Sequence, residues 1–297
     1  MNKSKLMEAP LKSSGEKGAF NKYDWVREAD NKLISAKLLR ESAAKKRIEF
    51  ERLKSEKEKQ KERPNSKEVF EILNVVESAN KSSILLLGYA LELLLKSGVV
   101  SLLIYAPKAL LEKKVKAYSH NLLEIALDLH IELSKEEQDL LETLSSYIIR
   151  ETRYPVTPES LDDYCSKTND ITTFVSNDKN FELGLSLYKK LRELIDSIDG
   201  TPEDIKFHTR MEMEENGYVI FRIGGRLPPV FIIKYCQTQV DSETAALSTV
   251  RDLLLEKNKV NKTIHSHLME VSWDTASFFI VGGKRGLTKH LRVTPNA

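Results

Sequence analysis

A few positions in this chain carry side chains whose types and spacing could do chemistry. Arg150, Arg153 and Tyr154 close the stretch IIRETRYP, which runs into Pro155. Two guanidiniums and a ring could grip a phosphate and stack a base. The plainer reading is that the arginines complement a helix C-terminus while the ring packs on neighbouring helices. Glu92 and Lys96 lie one turn apart, acid first, inside a long apolar run. Lys96 could contact phosphate, but a buried ion pair accounts for both residues more simply. His120 is a lone imidazole followed by Asn121, and it reads as a core hydrogen-bonding group before it reads as a catalyst. His265 and His267 flank Ser266; on a strand both rings would face one side, half of a metal site. Nothing at ligand spacing completes that site, so no metal is expected. From Thr275 to Ala297 there is no acidic residue, while Lys284, Arg285, Lys289, His290 and Arg292 are all there. This unbalanced patch suits a phosphate, an RNA or an acidic partner surface. There is no Walker motif, no GxSxG and no HExxH, and Gly282-Gly283 alone is no phosphate loop, so no cofactor is expected.

The elements that must position these groups follow from composition and periodicity. Lys+Arg 46 against Asp+Glu 44 leaves no global field to draw the chain onto nucleic acid. Cys165 and Cys236 are far apart and form no CxxC, which excludes a zinc ribbon or disulfide scaffold and fits a reducing cytoplasm. The start, MNKSKLMEAPLKSSGEKG, lacks the apolar stretch of a signal peptide, and residues 1–20 are expected to be disordered. Ile84 to Ile104 is long enough to span a bilayer. Each of Glu92 and Lys96 would cost about 3 kcal/mol there, so a helix buried in protein is expected and no membrane.

Trp25, Ala29, Leu33, Ala36, Leu39 and Ala43 recur at helical steps and mark one amphipathic helix. Residues 45–63 alternate basic and acidic side chains with few apolar anchors, a solvated helical arm that ends at Pro64. Its acids cancel much of its basic charge, which disfavours a nucleic-acid-binding role. Ser66 is placed to cap the next helix, which leads into the apolar run until Pro107 breaks it. Ser134 and Glu137 form a capping box for a helix that Pro155 and Pro158 terminate, and a polar loop near 176–180 precedes FELGLSLYKKLRELIDSI, closed by Gly200 and Pro202. Beyond Pro202, GYVIFRIGG (217–225) and PVFIIKYCQTQV (229–240) read as a hairpin. Asp241 or Ser242 should cap a helix carrying Ala246, Val250, Leu253 and Leu254, and strand-like runs follow at 263–271 and 276–283. The order ββαββ predicts a small antiparallel sheet with one helix.

Four pieces of the first region occur in a meaningful order: YDWVREADNKLISAKLL; GYALELLLKSG, with its Glu and Lys one turn apart; AYSHNLLEIALDL; and Arg-Tyr-Pro at 153–155. Together they resemble the HEPN family of nucleotide- and RNA-associated helical domains, over roughly residues 21–198. The fold expected is thus α + (α+β): a HEPN-like bundle at 21–198 with a charged arm at 45–66 inserted, then an α+β domain at 203–297 that ends in the basic tail. The resemblance implies a homodimer through the bundle and association with RNA, a nucleotide or a partner protein such as a toxin, transferase or defence effector. Some HEPN members are metal-independent ribonucleases that use an Arg followed four to six residues later by a His on a late helix. Arg150 and Arg153 stand on the matching segment, but no His follows at that distance. The spacing recurs at Arg285 and His290, outside the resembling region. The expectation is therefore a cytoplasmic, non-catalytic accessory or effector protein, in phage defence or a toxin–antitoxin-like system. The alternative is a ribonuclease with an unorthodox site drawn from His120, Arg150, Arg153 and the Arg285/His290 pair.

Overall fold

The spacing of small residues on the first long helix determines how the molecule is built. Val26, Ala29, Leu33, Ala36, Arg40, Ala43 and Arg47 follow one another at alternating steps of three and four, a heptad seam. In the computed structural model, which describes residues 3–12, 16–151, 157–260 and 263–290, this seam lies on helix α2 (Lys22–Gln60) and packs along the antiparallel α3 (Ser66–Leu102). Ala29, Ala36 and Ala43 are fully buried, because a methyl group lets the two helices approach closely. Arg40 and Arg47 occupy seam positions that apolar residues would normally fill. Both donate to the buried Asn80 Oδ1, at 3.0 and 3.1 Å, and Arg40 also reaches the Val175 carbonyl.

Asn21 caps α2 by accepting from the Tyr23 amide, and Lys61, in the left-handed region at φ 56°, ends it before Pro64. The charged stretch is thus the far end of α2, mostly exposed and running beside the first turns of α3. Asn65, rather than Ser66, caps α3.

By length and composition α3 could cross a membrane, yet it is the central helix of the bundle. Around it lie α4 (Lys108–Tyr118), α5 (Leu122–Asp128), α6 (Lys135–Ser146), α7 (Leu161–Ser176) and α8 (Asp178–Ser197). The capping box of Ser134 and Glu137 starts α6. A π-helical turn, Tyr147–Glu151, continues it. α7 fills a segment where the prolines suggested only a stop, and a single residue, Asn177, separates it from α8. The expectation of disorder over residues 1–20 does not hold for Lys3–Glu8 or for Leu11. A short helix, α1 (Lys3–Glu8), is followed by Leu11, which is completely buried and exchanges backbone hydrogen bonds with Tyr105 and Ala106.

Five strands form one sheet in the order β1 (Phe207–Glu212), β2 (Tyr218–Gly224), β3 (Leu227–Lys234), β4 (Ser277–Gly282) and β5 (Gly286–His290). The hairpin of β2 and β3 is as expected. The all-antiparallel sheet with one helix is not: β3 and β4 are parallel. They are joined by a crossover of three helices, α9 (Gln237–Asp241), α10 (Leu247–Val260) and α11 (Ile264–Ser272). Asp241 ends α9 instead of capping the next helix. The run at 263–271 is helical, started by a Thr263–Ser266 capping box. A parallel pair cannot be closed by a tight turn, so the connection is a long crossover, here a helical one.

One face of the sheet, with Tyr218, Ile220, Val230, Ile232, Phe279 and Leu287, joins the core of the helical bundle. The opposite face, with Val219, Phe221, Phe231, Ile233 and Phe278, packs under α10, α11 and Trp273. Covering both faces is why β2 and β3 read as continuous apolar runs instead of alternating ones.

Candidate functional site

Helix periodicity puts Glu92 and Lys96 on one face of α3, and both are buried. The Lys96 ammonium donates to Glu92 Oε1 and, at 3.0 Å, to the carbonyl of Ser119 in the turn between α4 and α5. The other Glu92 oxygen lies 2.9 Å from His120 Nδ1. One carboxylate therefore binds an ammonium from its own helix and an imidazole from the neighbouring turn. Tyr89, a turn earlier on α3, stands edge-on to the ring at 6.4 Å.

The turn is held from every side. Ser119 has φ 52° and ψ −112°, a conformation that costs a non-glycine residue about 1–3 kcal/mol and persists only where its surroundings impose it. Lys96 holds its carbonyl. Asn121 caps α5 by accepting from the Glu124 amide, and the Leu122 amide donates to Ser145 Oγ on α6. Just before it, the Tyr118 hydroxyl donates to Asp128, which also binds Lys114 at 3.0 Å. Burial, then the Asp128 charge, pushes the Tyr118 hydroxyl far above its ordinary pKa, so it stays a donor. The outcome is an imidazole with Nδ1 fixed by a carboxylate and a side chain about a third exposed. Such a ring can donate to, or accept a proton from, a ligand through Nε2.

Next to this turn a cleft of about 1200 Å³ opens between α5, α6 and the sheet. Leu127, Ile131 and Pro228 give it apolar walls, and four carboxylates, of Glu124, Asp128, Glu132 and Glu142, face the cations of Arg226 and Lys289. His130, at φ 55°, borders it; burial and the nearby Lys289 lower its pKa to about 4, so it is neutral at physiological pH.

The other site residues anticipated from the sequence are dispersed. Arg150 belongs to the π-helical turn, with its side chain outside the described residues; Arg153, Tyr154 and Arg292 also lie outside them. Lys284 sits in the β4–β5 turn. Arg285 pairs with Glu124 of α5 at 3.0 Å. Lys289 donates to the Leu127 carbonyl at 2.9 Å, and burial lowers its pKa. The basic hairpin is therefore tied to the bundle through Arg285 and Lys289, while Lys284, Arg285 and His290 remain exposed. Arg285 lies in the β4–β5 turn, paired with Glu124, and His290 is the last residue of β5. His265 and His267 are on α11, where neighbours two apart face different ways, so the half-site read from a strand disappears. Among the described residues no three His, Cys, Asp or Glu side chains are grouped as a metal would need.

Sequence reasoning missed the polar junction between bundle and sheet. Asp199 accepts from Lys22, Lys206 and Ser101. Burial alone would raise its pKa, but the hydrogen bonds from Lys206 and Lys22 win and hold it at about 2. Arg222, fully buried, donates to the Ile198 and Gly224 carbonyls, and burial brings it down to about 10. A charged residue in the middle of an apolar strand was the available signal. No family model matches this chain, and neither a search of curated proteins nor one of solved structures returns a match to it.

Proposed function

We propose that this is a cytoplasmic HEPN-type accessory or effector protein that binds RNA or a nucleotide at the face of the bundle presenting His120. The observation that supports this reading most is the strained, fully tethered turn in which a buried Glu92–Lys96 pair fixes His120. Backbone strain and two buried charges are costly to keep, and a bundle that needed only a core would be served by apolar residues there. A ring so held can donate to a phosphate oxygen without paying for its own ordering on binding.

The carboxylate–imidazole arrangement favours a second reading, a metal-independent ribonuclease with His120 as general base. One experiment separates the two: titrate fluorescein-labelled single-stranded RNA, in EDTA, with wild type and His120→Ala. The accessory reading expects a bound but intact RNA and several-fold weaker binding by the variant. Cleavage by wild type and not by a folded variant would install the ribonuclease reading. Absence of both binding and cleavage would remove RNA; the same titration with ATP then tests the nucleotide.

A further inference from the structure

The sheet has two outer edges, and they are protected differently. β5 runs beside α4, and its hairpin is tied down by Lys113 on the Gly283 carbonyl and Lys289 on the Leu127 carbonyl. β1 pairs with β2 on one side only. Among the described residues its backbone makes no hydrogen bond beyond that ladder. A bare row of amides and carbonyls is a template for another extended chain.

A hollow of about 590 Å³ opens along this edge. Thr209, Arg210 and Met211, three residues in succession, line one wall. Successive strand side chains point to opposite faces, so a single hollow that reaches all three follows the strand's edge. The opposite wall comes from α10 and α11: Leu254 and Met269 supply apolar surface, and Glu256, Lys257 and His265 polar groups of both signs. Met211 and Met269 are unbranched and adapt to varied side chains. Charges often guard an exposed edge, but the Arg210 guanidinium is tied back to Glu212 and, at 2.7 Å, to the Tyr105 carbonyl. Lys257 has no ion-pair partner among the described residues.

We propose that β1 is a docking edge for an extended peptide segment of a partner protein, which adds to the sheet as a further strand. Main-chain hydrogen bonds to β1 give the affinity, and alternate side chains set the specificity. Apolar side chains at alternate positions enter between Met211, Leu254 and Met269, and an acidic residue meets Lys257 and His265. The inference is independent of the His120 site, which lies on the bundle.

The test pans a phage-displayed library of random linear peptides against the full-length chain. Selected peptides are then synthesised and titrated by fluorescence anisotropy, with hydrogen exchange followed with and without peptide. The expected result is enrichment of sequences with alternating apolar residues and an acid, and slowed exchange at residues 207–212. Lys257→Glu, a surface change that spares the core, should weaken binding by about tenfold at low salt, since like charges then face each other. No enrichment, or protection confined to another surface, overturns the proposal. So does peptide affinity unchanged in Lys257→Glu. A concentration-dependent dimer that protects 207–212 without peptide would assign the edge to a second copy of the chain instead.

Discussion

His208 offers a quantitative test of how the bundle and the sheet are joined. It lies on β1 with its ring edge-on to Tyr105 at 6.0 Å, and its Nε2 is buried without a hydrogen-bond partner. Burial foremost, then the charges of Arg222 and Lys206, lowers its pKa from 6.5 to about 3, against the opposing effect of Asp199 and a hydrogen bond with the Ser101 backbone. The folded protein therefore refuses a proton that the unfolded chain accepts. The stability this contributes is fully present above pH 6.5 and is lost as pH falls from there towards 3. At pH 5 the unfolded ring is nearly all protonated and the folded ring nearly all neutral, so the linkage costs about 2 kcal/mol relative to pH 7.5. His208→Gln removes the titration and keeps a polar group of similar reach. Urea unfolding of both proteins at the two pH values isolates the effect, because other titrations, including that of His130, cancel in the double difference. The variant should lose about 2 kcal/mol less than wild type on going from pH 7.5 to pH 5. Equal losses in the two proteins would mean that the ring titrates in the folded state much as in water and is not buried between β1 and the bundle.

Further perturbations probe the other structural claims. Glu92→Gln leaves the Lys96 ammonium buried without its counter-charge and should cost about 3–5 kcal/mol in a denaturant titration, most of it recovered when Lys96→Met is added. Gly224 has φ 84°, and a Cβ there would collide with the Ile205 carbonyl oxygen. Gly224→Ala should therefore lower stability by at least about 1–3 kcal/mol, a loss that shows as a lower urea midpoint with an unchanged slope. The basic hairpin should not behave as one uniform patch. Lys284→Ala should change stability by no more than about 0.5 kcal/mol, whereas Lys289→Ala removes a half-exposed hydrogen bond to the Leu127 carbonyl and should cost about 1 kcal/mol. Equal, negligible effects at both positions would mean that the hairpin is solvated and not held by the Leu127 carbonyl.

Local patterns were enough for much of this molecule. The Ala29, Leu33 and Ala36 steps, the Ser134–Glu137 capping box and the i,i+4 placement of Glu92 and Lys96 each act within a turn or two of helix, so they can be read directly from the chain. The β2–β3 hairpin was legible for the same reason, since Gly225-Arg226 joins two adjacent apolar runs. Other features depend on partners far away in sequence. Residues 263–271 carry Thr263, Ile264 and Val271, enough β-branched side chains to pass for a strand, and it is the parallel pairing of β3 with β4 that calls for a long crossover there. Leu11 looked like part of a polar tail until Tyr105 and Ala106 supplied its backbone partners. The uninterrupted apolar character of β2 and β3 was visible, but that it meant two covered faces followed only from the helices packed on each side. Likewise, His120 stood alone in the sequence, 24 residues after Lys96 and 28 after Glu92. Those three residues become one group because Lys96 spans from α3 to the Ser119 carbonyl across a turn whose backbone conformation no local rule favours. Periodicity and capping are set by neighbours in the chain; the grouping of buried charges is set by which helices share a core, and that is decided by packing.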